Sequence, residues 1–159
     1  MIKHTQNISI SSDSHKAWSY LIDFSKSLIF DKYFTLVEIP GKYSVNYDYT
    51  FYAKVKYLFN IYDMNANIID FIPPEKLTIK FIDKNNSKIY LIKSFKIKSK
   101  GSVIILSYHN TLCLNSFYKN ILLYSNMKAS CIAELIYLKK AIESSEYISG
   151  GKKVKTLLH

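Results

Sequence analysis

The stretch that decides the fold is residues 102–146, SVIILSYHNTLCLNSFYKNILLYSNMKASCIAELIYLKKAIESSE, because its periodicity changes partway along. Residues 102–114 predict a β-strand, after which a helical period of 3.6 residues begins. That period extends from Phe117 to Glu146, and a helix of this length is roughly 40 Å long, enough to lie across a whole sheet. The apolar positions on the predicted stripe are Phe117, Ile121, Tyr124, Cys131, Ile132, Leu135, Leu138 and Ile142.

The chain before this stretch is dominated by strands. Their ends are marked by turn residues, including Pro40-Gly41, Pro73-Pro74 and Lys100-Gly101. Because most of the connections are short, neighbouring strands are expected to be antiparallel. Together with residues 102–114, the predicted strands cover residues 2–10, 33–39, 47–57, 61–72, 76–82 and 88–98.

Two short helices interrupt this pattern directly after the first strand. Ser11 or Ser12 is expected to cap the first helix, and its apolar positions, which include Ala17 and Trp18, recur at helical spacing. Residues 25–30 predict the second helix, which ends near Asp31. The order is therefore one strand, two short helices, six strands and one long helix.

Length and composition limit the classes of protein to which the chain can belong. The chain has 159 residues, 48% of them apolar, which suits one domain with a sizeable core. Its uninterrupted apolar runs are too short to cross a membrane, and its first residues lack the apolar segment of a secretory signal. Two cysteines are too few for a disulfide framework, so the sequence predicts a cytoplasmic location.

The net charge of +10 invites a nucleic-acid interpretation, which the residue types disfavour. All 22 basic residues are lysine, whereas arginine is the residue best suited to phosphate forks and base edges. The abundance of Ile, Lys, Asn and Tyr is typical of an AT-rich genome, which explains part of the lysine excess. We therefore expect no nucleic-acid partner.

Three segments carry a resemblance to a known family: ISISSDSHKAWSYLID (8–23), IIDFIPPEKLTIKF (68–81) and ELIYLKKAIES (134–144). With the element order, they resemble the START-like, or SRPBCC, helix-grip superfamily, the polyketide cyclase/dehydrase and lipid-transport group. The resemblance implies an α+β fold: a curved seven-stranded antiparallel sheet wrapped around the long C-terminal helix. It implies a single domain over residues 1–146 and leaves residues 147–159 as a basic tail, either flexible or not native.

A curled sheet and a long helix are expected to enclose a cavity lined by the inward-facing side chains. Aromatic rings there supply apolar area, and hydroxyl groups can bind a carbonyl or hydroxyl group of a ligand. The alternative is ordinary core packing. The predicted ligand-binding residues are Tyr47, Tyr49, Phe51, Tyr57, Tyr62, Met64, Tyr108, Asn110, Tyr124 and Lys128.

Lys128 is the predicted cationic contact, since it lies within the apolar stripe one turn from Tyr124. Its ammonium either faces the cavity, where it would pair with a carboxylate or enolate, or reaches water while its stem packs. His4 and Gln6 share the apolar face of the first strand, where a histidine is more often a hydrogen-bonded wall residue than a catalyst.

Several chemistries find no support in the sequence. His109 and Cys113 would be roughly 13 Å apart on one strand, too far for a nucleophile–base dyad. The four histidines show no metal-ligand spacing, and the four glycines form no phosphate loop. We therefore predict no metal and no cofactor, and assign no catalytic residue.

Three functions remain open. The first is binding or carriage of a small, largely hydrophobic, lipid- or polyketide-like molecule in the cavity. The second is a cyclase/dehydratase-type enzyme acting on a poly-carbonyl chain, and the third is a co-chaperone-like module that binds a protein partner. The oligomeric state is not predicted.

Overall fold

A computed structural model of the chain describes residues 1–28, 30–41, 44–144 and 153–157, the last by backbone alone. Up to α3, the elements follow the predicted order. They are β1 (Ile2–Ile10), α1 (Ser14–Ile22), α2 (Phe24–Ser27), β2 (Phe34–Pro40), β3 (Thr50–Tyr57), β4 (Asn60–Ile72), β5 (Lys76–Asp83), β6 (Tyr90–Lys100), β7 (Val103–Cys113), α3 (Phe117–Ser144) and β8 (Lys153–Leu157).

Strands β1 to β7 form a curved antiparallel sheet in the order β1-β7-β6-β5-β4-β3-β2. Strands β3 to β7 follow one another as hairpins, whereas β1 pairs with β7, more than ninety residues away along the chain. Helix α3 packs against β1 and β7 and touches α1. The predicted α+β helix-grip fold is confirmed.

Strand β8 adds to the outer edge of β2 in parallel, with Leu36 opposite Lys153 and Pro40 opposite Leu157. The sequence alone predicts that these residues belong to a tail outside the domain. Their pairing satisfies backbone groups of β2 that an edge strand would leave open. The sheet that the structure describes therefore has eight strands.

Two local differences from the predicted elements have clear causes. The cap of α1 is Asp13 rather than Ser11 or Ser12, because the Asp13 carboxylate accepts a 2.8 Å hydrogen bond from the Lys16 amide. Strand β3 begins at Thr50 rather than residue 47, because Asp48 has a φ of 65° and interrupts the extended backbone.

Helix α3 is long and apolar enough to cross a membrane by length and composition. One side of it is nonetheless part of the protein core. Its buried positions are Leu123, Met127, Ser130, Cys131, Glu134, Leu135, Leu138, Ala141 and Ile142. A helix that contributes this face, including a paired carboxylate, to the interior is a core helix.

Candidate functional site

Three charged side chains meet in the interior between the sheet and α3. The ammonium of Lys93, on β6, lies 2.6 Å from the carboxylate of Asp31 and 2.7 Å from that of Glu134, on α3. All three side chains are almost fully buried. A buried lysine is stable only when paired, and here two carboxylates compete for one positive charge.

Two neutral side chains extend this cluster along β7. The Tyr108 hydroxyl donates to Glu134 Oε2 at 2.9 Å, and Asn110 Nδ2 donates to the Tyr108 hydroxyl at 3.1 Å. The same amide nitrogen lies 3.5 Å from the sulfur of Cys131. We call Asp31, Lys93, Tyr108, Asn110 and Glu134 the buried polar cluster.

The sheet register explains how the sequence assembles the cluster. Lys93 lies opposite Asn110 in the β6–β7 pair, and Phe95 lies opposite Tyr108, so all four point to the concave face. The Phe95 and Tyr108 rings stack at 4.8 Å and hold the phenol in place. Asp31 is fixed just before β2 because its carboxylate accepts a 2.9 Å hydrogen bond from the Tyr33 amide.

Electrostatics make Glu134 the titratable member of the cluster near neutral pH. Burial and the charge of Asp31 raise the pKa of Glu134 to about 7, against the opposing effect of Lys93. The pKa of Lys93 is itself raised, because its two carboxylate partners outweigh the cost of burial. One ammonium neutralises one carboxylate, so the second is the group that takes up a proton.

Further polar groups border the cluster. Burial raises the pKa of the Cys131 thiol to about 11 and, with Asp31 nearby, that of the Tyr33 phenol to about 12, so both groups stay neutral. The Tyr33 hydroxyl and the Asn110 carbonyl oxygen are buried and have no hydrogen-bond partner among the described residues. A buried acceptor without a partner is rare in proteins and needs an explanation.

Most of the predicted ligand-binding residues face the interior. Phe51, Tyr57, Tyr62, Met64 and Tyr108 belong to the hydrophobic core, and Asn110 is buried beside them. Tyr49 is partly buried, with its ring 6.2 Å from that of Phe51. The structure thus confirms their inward orientation, while contact with a ligand stays a prediction.

Three of the predicted residues do not face the interior, and their assignment was wrong in this respect. Tyr47 is 60% exposed because the left-handed residue Asp48 separates it from the strand. Tyr124 is 54% exposed, and Lys128 also lies on the solvent side of α3. The buried stripe of α3 runs through Leu123, Met127 and Glu134, so the predicted stripe was turned toward solvent over its first half.

Sequence reasoning missed the charged centre of the site, Asp31, Lys93 and Glu134. Alternation along β6 places Lys93 on the same face as Leu91 and Phe95, and this signal was available in the sequence. His4, by contrast, is the hydrogen-bonded wall residue that was expected: its Nε2 lies 3.1 Å from the carbonyl oxygen of Tyr124.

Open grooves lie outside the cluster on the described part of the chain. One, of about 450 Å³, is lined by Glu38, Pro40, Thr50, Phe51, Tyr52, Asn65 and Asn67. Another, of about 530 Å³, is lined by Ser14, Pro74, Glu75, Lys96, Ile97, Lys98 and Ser99. Within the described part of the chain, no group of His, Cys, Asp or Glu side chains is arranged to hold a metal ion.

Comparison with known proteins supports the fold. No family model and no curated protein matches the sequence. Among solved structures, the Zhui aromatase/cyclase from Streptomyces sp. R1128 matches with a TM-score of 0.67 and 11% identity, over 94% of this chain and 98% of that one. This likeness shows that the two proteins share a fold.

Two further structures give the same result. The di-domain aromatase/cyclase StfQ of the steffimycin biosynthetic pathway matches with a TM-score of 0.67 and 11% identity, over 91% of this chain and 51% of that one. Protein DR_A0006 from Deinococcus radiodurans matches with a TM-score of 0.66 and 10% identity, over 91% of this chain and 99% of that one. This chain is similar to all three in fold.

Proposed function

We propose that the chain binds a small, largely apolar molecule that carries a hydrogen-bond donor such as a hydroxyl group, in the interior between the sheet and α3. The observation that carries the proposal is the buried carbonyl oxygen of Asn110, which has no partner among the described residues. A ligand hydroxyl would satisfy this acceptor.

The surroundings of the buried polar cluster support an apolar ligand body. The rings of Tyr33 and Tyr57 lie 4.8 Å apart, and those of Tyr57 and Tyr62 lie 6.2 Å apart, so aromatic area adjoins the polar groups. Ligand sites typically combine such apolar walls with a few fixed polar groups. Aromatase/cyclases of the same fold add support for an apolar ligand. We also propose that the protein is located in the cytoplasm.

A pair of fluorescent probes tests this proposal. 1-Naphthol donates a hydrogen bond and 1-methoxynaphthalene cannot, while their apolar bodies are alike. We expect the protein to bind 1-naphthol about tenfold more tightly, the ratio that one hydrogen bond of ordinary strength supplies. The preference is measured by fluorescence titration of each probe against the purified protein.

Two variants locate the preference. Asn110→Leu removes the acceptor and is expected to make the two probes bind equally, whereas Asn67→Leu, on the exposed side of β4, should leave the ratio unchanged. Circular dichroism confirms that each variant is folded. Equal binding of the two probes to the unmodified protein would contradict the proposal, as would a preference that survives Asn110→Leu.

A second candidate, cyclisation of a poly-carbonyl chain, is favoured by Glu134. A buried carboxyl group with a pKa of about 7 can give or take a proton at neutral pH, and Tyr108 lies in hydrogen-bond contact with it. Such a pair would remove a proton from a carbon beside one carbonyl group, so that this carbon bonds to the carbon of a distant carbonyl group. It would also donate a proton to the oxygen of that distant group, which then leaves as water.

Heptane-2,4,6-trione separates the two candidates. Its intramolecular aldol reaction, with loss of one water, gives an aromatic diol that absorbs in the ultraviolet. If the protein is an enzyme, Glu134→Gln should lower the rate at least about a hundredfold, as loss of a general acid or base does, and leave 1-naphthol binding intact. If it is a binding protein, the trione should react no faster than in buffer.

A further inference from the structure

The outward side of α3 carries a long apolar surface. Apolar side chains are exposed from the start of the helix to its last third, and the small residues between them, Ser125, Ala129 and Ala133, are exposed as well. We call this the outer face of α3. Its large members are Phe117, Tyr118, Ile121, Leu122, Tyr124, Ile132 and Ile136.

Such a surface is unusual for a protein that stays in water. Scattered apolar residues are common on protein surfaces, but a contiguous patch marks a place where something else binds. Helical spacing makes this one continuous, because Tyr118, Leu122, Ser125, Ala129, Ile132 and Ile136 follow one another at intervals of three or four residues and are all exposed. Phe117 and Leu122 are 75% and 63% exposed, so little of these side chains is used inside the fold.

A second exposed ring lies at the same end of the sheet. The turn between β3 and β4 presents Phe59, which is 97% exposed. Cys113, at the end of β7, lies level with Asn65 on β4, because Tyr90 and Ile82 are the successive cross-strand partners between them. The β3–β4 turn therefore projects from the end of the sheet at which β7 leads into α3. Two separate parts of the chain thus bring apolar side chains to one end of the molecule.

The charges at this end are mostly positive. Lys84 and Lys88, in the connection between β5 and β6, are exposed there, and Lys128 lies on α3. Two acidic residues at the same end, Asp31 and Asp83, are buried. A third, Asp63, is partly neutralised by Lys54 at 3.8 Å.

We infer that the outer face of α3 and the β3–β4 turn dock on the surface of a negatively charged lipid bilayer. Exposed aliphatic and aromatic side chains flanked by lysines suit the boundary between acyl chains and anionic head groups. The helix lies on the bilayer rather than spanning it, because its inner side holds Glu134 in the ion pair with Lys93. A second copy of the chain, with the same positive charge, is the less favourable occupant.

Vesicle flotation tests this inference. The probes are vesicles of phosphatidylcholine alone and vesicles that contain about one third phosphatidylglycerol, a fraction that gives a strongly negative surface. We expect the protein to float with the anionic vesicles only, and its binding to weaken as salt is raised. Binding to both kinds of vesicle alike, or to neither, would overturn the inference.

Matched variants separate the outer face from other exposed apolar residues. Phe117→Ser combined with Leu122→Ser should weaken vesicle binding by about tenfold or more, since two large apolar side chains are lost from the contact. The control is Ile69→Ser combined with Ile72→Ser, two exposed residues toward the opposite end of β4, which should not alter binding. Equal loss in both pairs would overturn the inference.

Charge variants and oligomeric state complete the test. Lys84→Gln with Lys88→Gln should weaken binding, and Lys98→Gln with Lys100→Gln, at the opposite end of the sheet, should not. Light scattering after gel filtration should give a monomer. If the protein is instead a dimer, and Phe117→Ser with Leu122→Ser dissociates it, the outer face binds a second copy and the inference is overturned. None of these variants alters Asn110, so the test is independent of the proposed ligand site.

Discussion

The two halves of α3 have similar residue types but opposite relations to the core. In residues 130–144 the helix buries Leu135 and Leu138 and uses Glu134 to hold Lys93. In residues 117–129 only Leu123 and Met127 are buried, and the remaining large apolar side chains face solvent. Residues 130–144 therefore pack mainly against the interior, whereas residues 117–129 expose most of their apolar area to solvent.

This difference shows that apolar composition alone does not assign a helix face. A helix that is apolar on nearly every side offers several stripes of equal quality, and the sheet decides which of them is buried. In the C-terminal half the choice is fixed by a charged contact, since only one rotation brings Glu134 to Lys93. The following changes test how strongly each half is bound to the fold.

Lys93→Met should have the largest effect. It leaves Asp31 and Glu134 buried without their cation, and breaking a buried ion pair in this way costs about 3 to 5 kcal/mol of the free energy of unfolding. Urea denaturation followed by circular dichroism measures the loss. Adding Asp31→Asn and Glu134→Gln to Lys93→Met should restore much of the stability, so the effect remains testable if the single variant fails to fold.

Leucine truncation compares the two halves of α3 directly. Leu138→Ala opens a space in the core and should cost about 3 kcal/mol, whereas Leu122→Ala, on the outer face, should cost less than about 0.5 kcal/mol. The same denaturation experiment gives both values. Equal losses would show that the two halves are packed alike and would remove the basis of the comparison.

The protonation of Glu134 predicts a pH dependence confined to the cluster. An unfolded glutamate ionises near pH 4.5, but folded Glu134 keeps its proton up to about pH 7. Between these values the folded state binds more protons, so stability should fall as pH rises, by roughly 2 to 3 kcal/mol in total.

Glu134→Gln isolates this contribution. Asp13 and Glu143, whose pKa values are lowered by backbone hydrogen bonds, favour stability at higher pH, and they are unchanged in the variant. The free energy of unfolding of the protein, relative to that of Glu134→Gln, should therefore fall from pH 5 to pH 7. A difference that stays constant over this range would show that Glu134 is ionised throughout.

The most local expected effect concerns His4, which lies 3.1 Å from the Tyr124 carbonyl oxygen in the exposed half of α3. His4→Leu removes one hydrogen bond, worth about 1 kcal/mol. Amide hydrogen exchange should quicken in residues 117–129 and stay unchanged in residues 130–144, because only the first half depends on this contact. Faster exchange along the whole helix would argue that α3 moves as one unit.

Much of the fold could be predicted because it follows from local patterns. Alternation along β4 and β5, with the Pro73-Pro74 corner between them, identified both strands to within one residue at each end. The helical period of α3 was equally clear. The pairing of β8 with β2 has no such local signal, because a few residues of lysine, valine and leucine can be a strand or a tail.

The candidate site was harder to predict, since its members come from four separate segments. Lys93 lies in a lysine-rich strand whose other lysines are exposed, so only strict alternation singles it out. Asp31 follows a short helix and has no periodicity at all. Whether their partner Glu134 faces the core or solvent depends on the rotation of α3, which is set by its packing on the sheet and not by the helix sequence alone.

The pairing of the earliest strands with the latest has a consequence for how the chain folds as it is synthesised. Strand β1 cannot pair until β7 has been synthesised, and the outer edge of β2 cannot pair until β8 has been synthesised. Strands β3 to β7, by contrast, can pair as successive hairpins. Contacts between such distant segments form slowly, because a long loop must close first. We therefore expect a nascent chain in which β3 to β7 assemble first, and in which the outer edge of β2 stays unpaired until β8 has been synthesised.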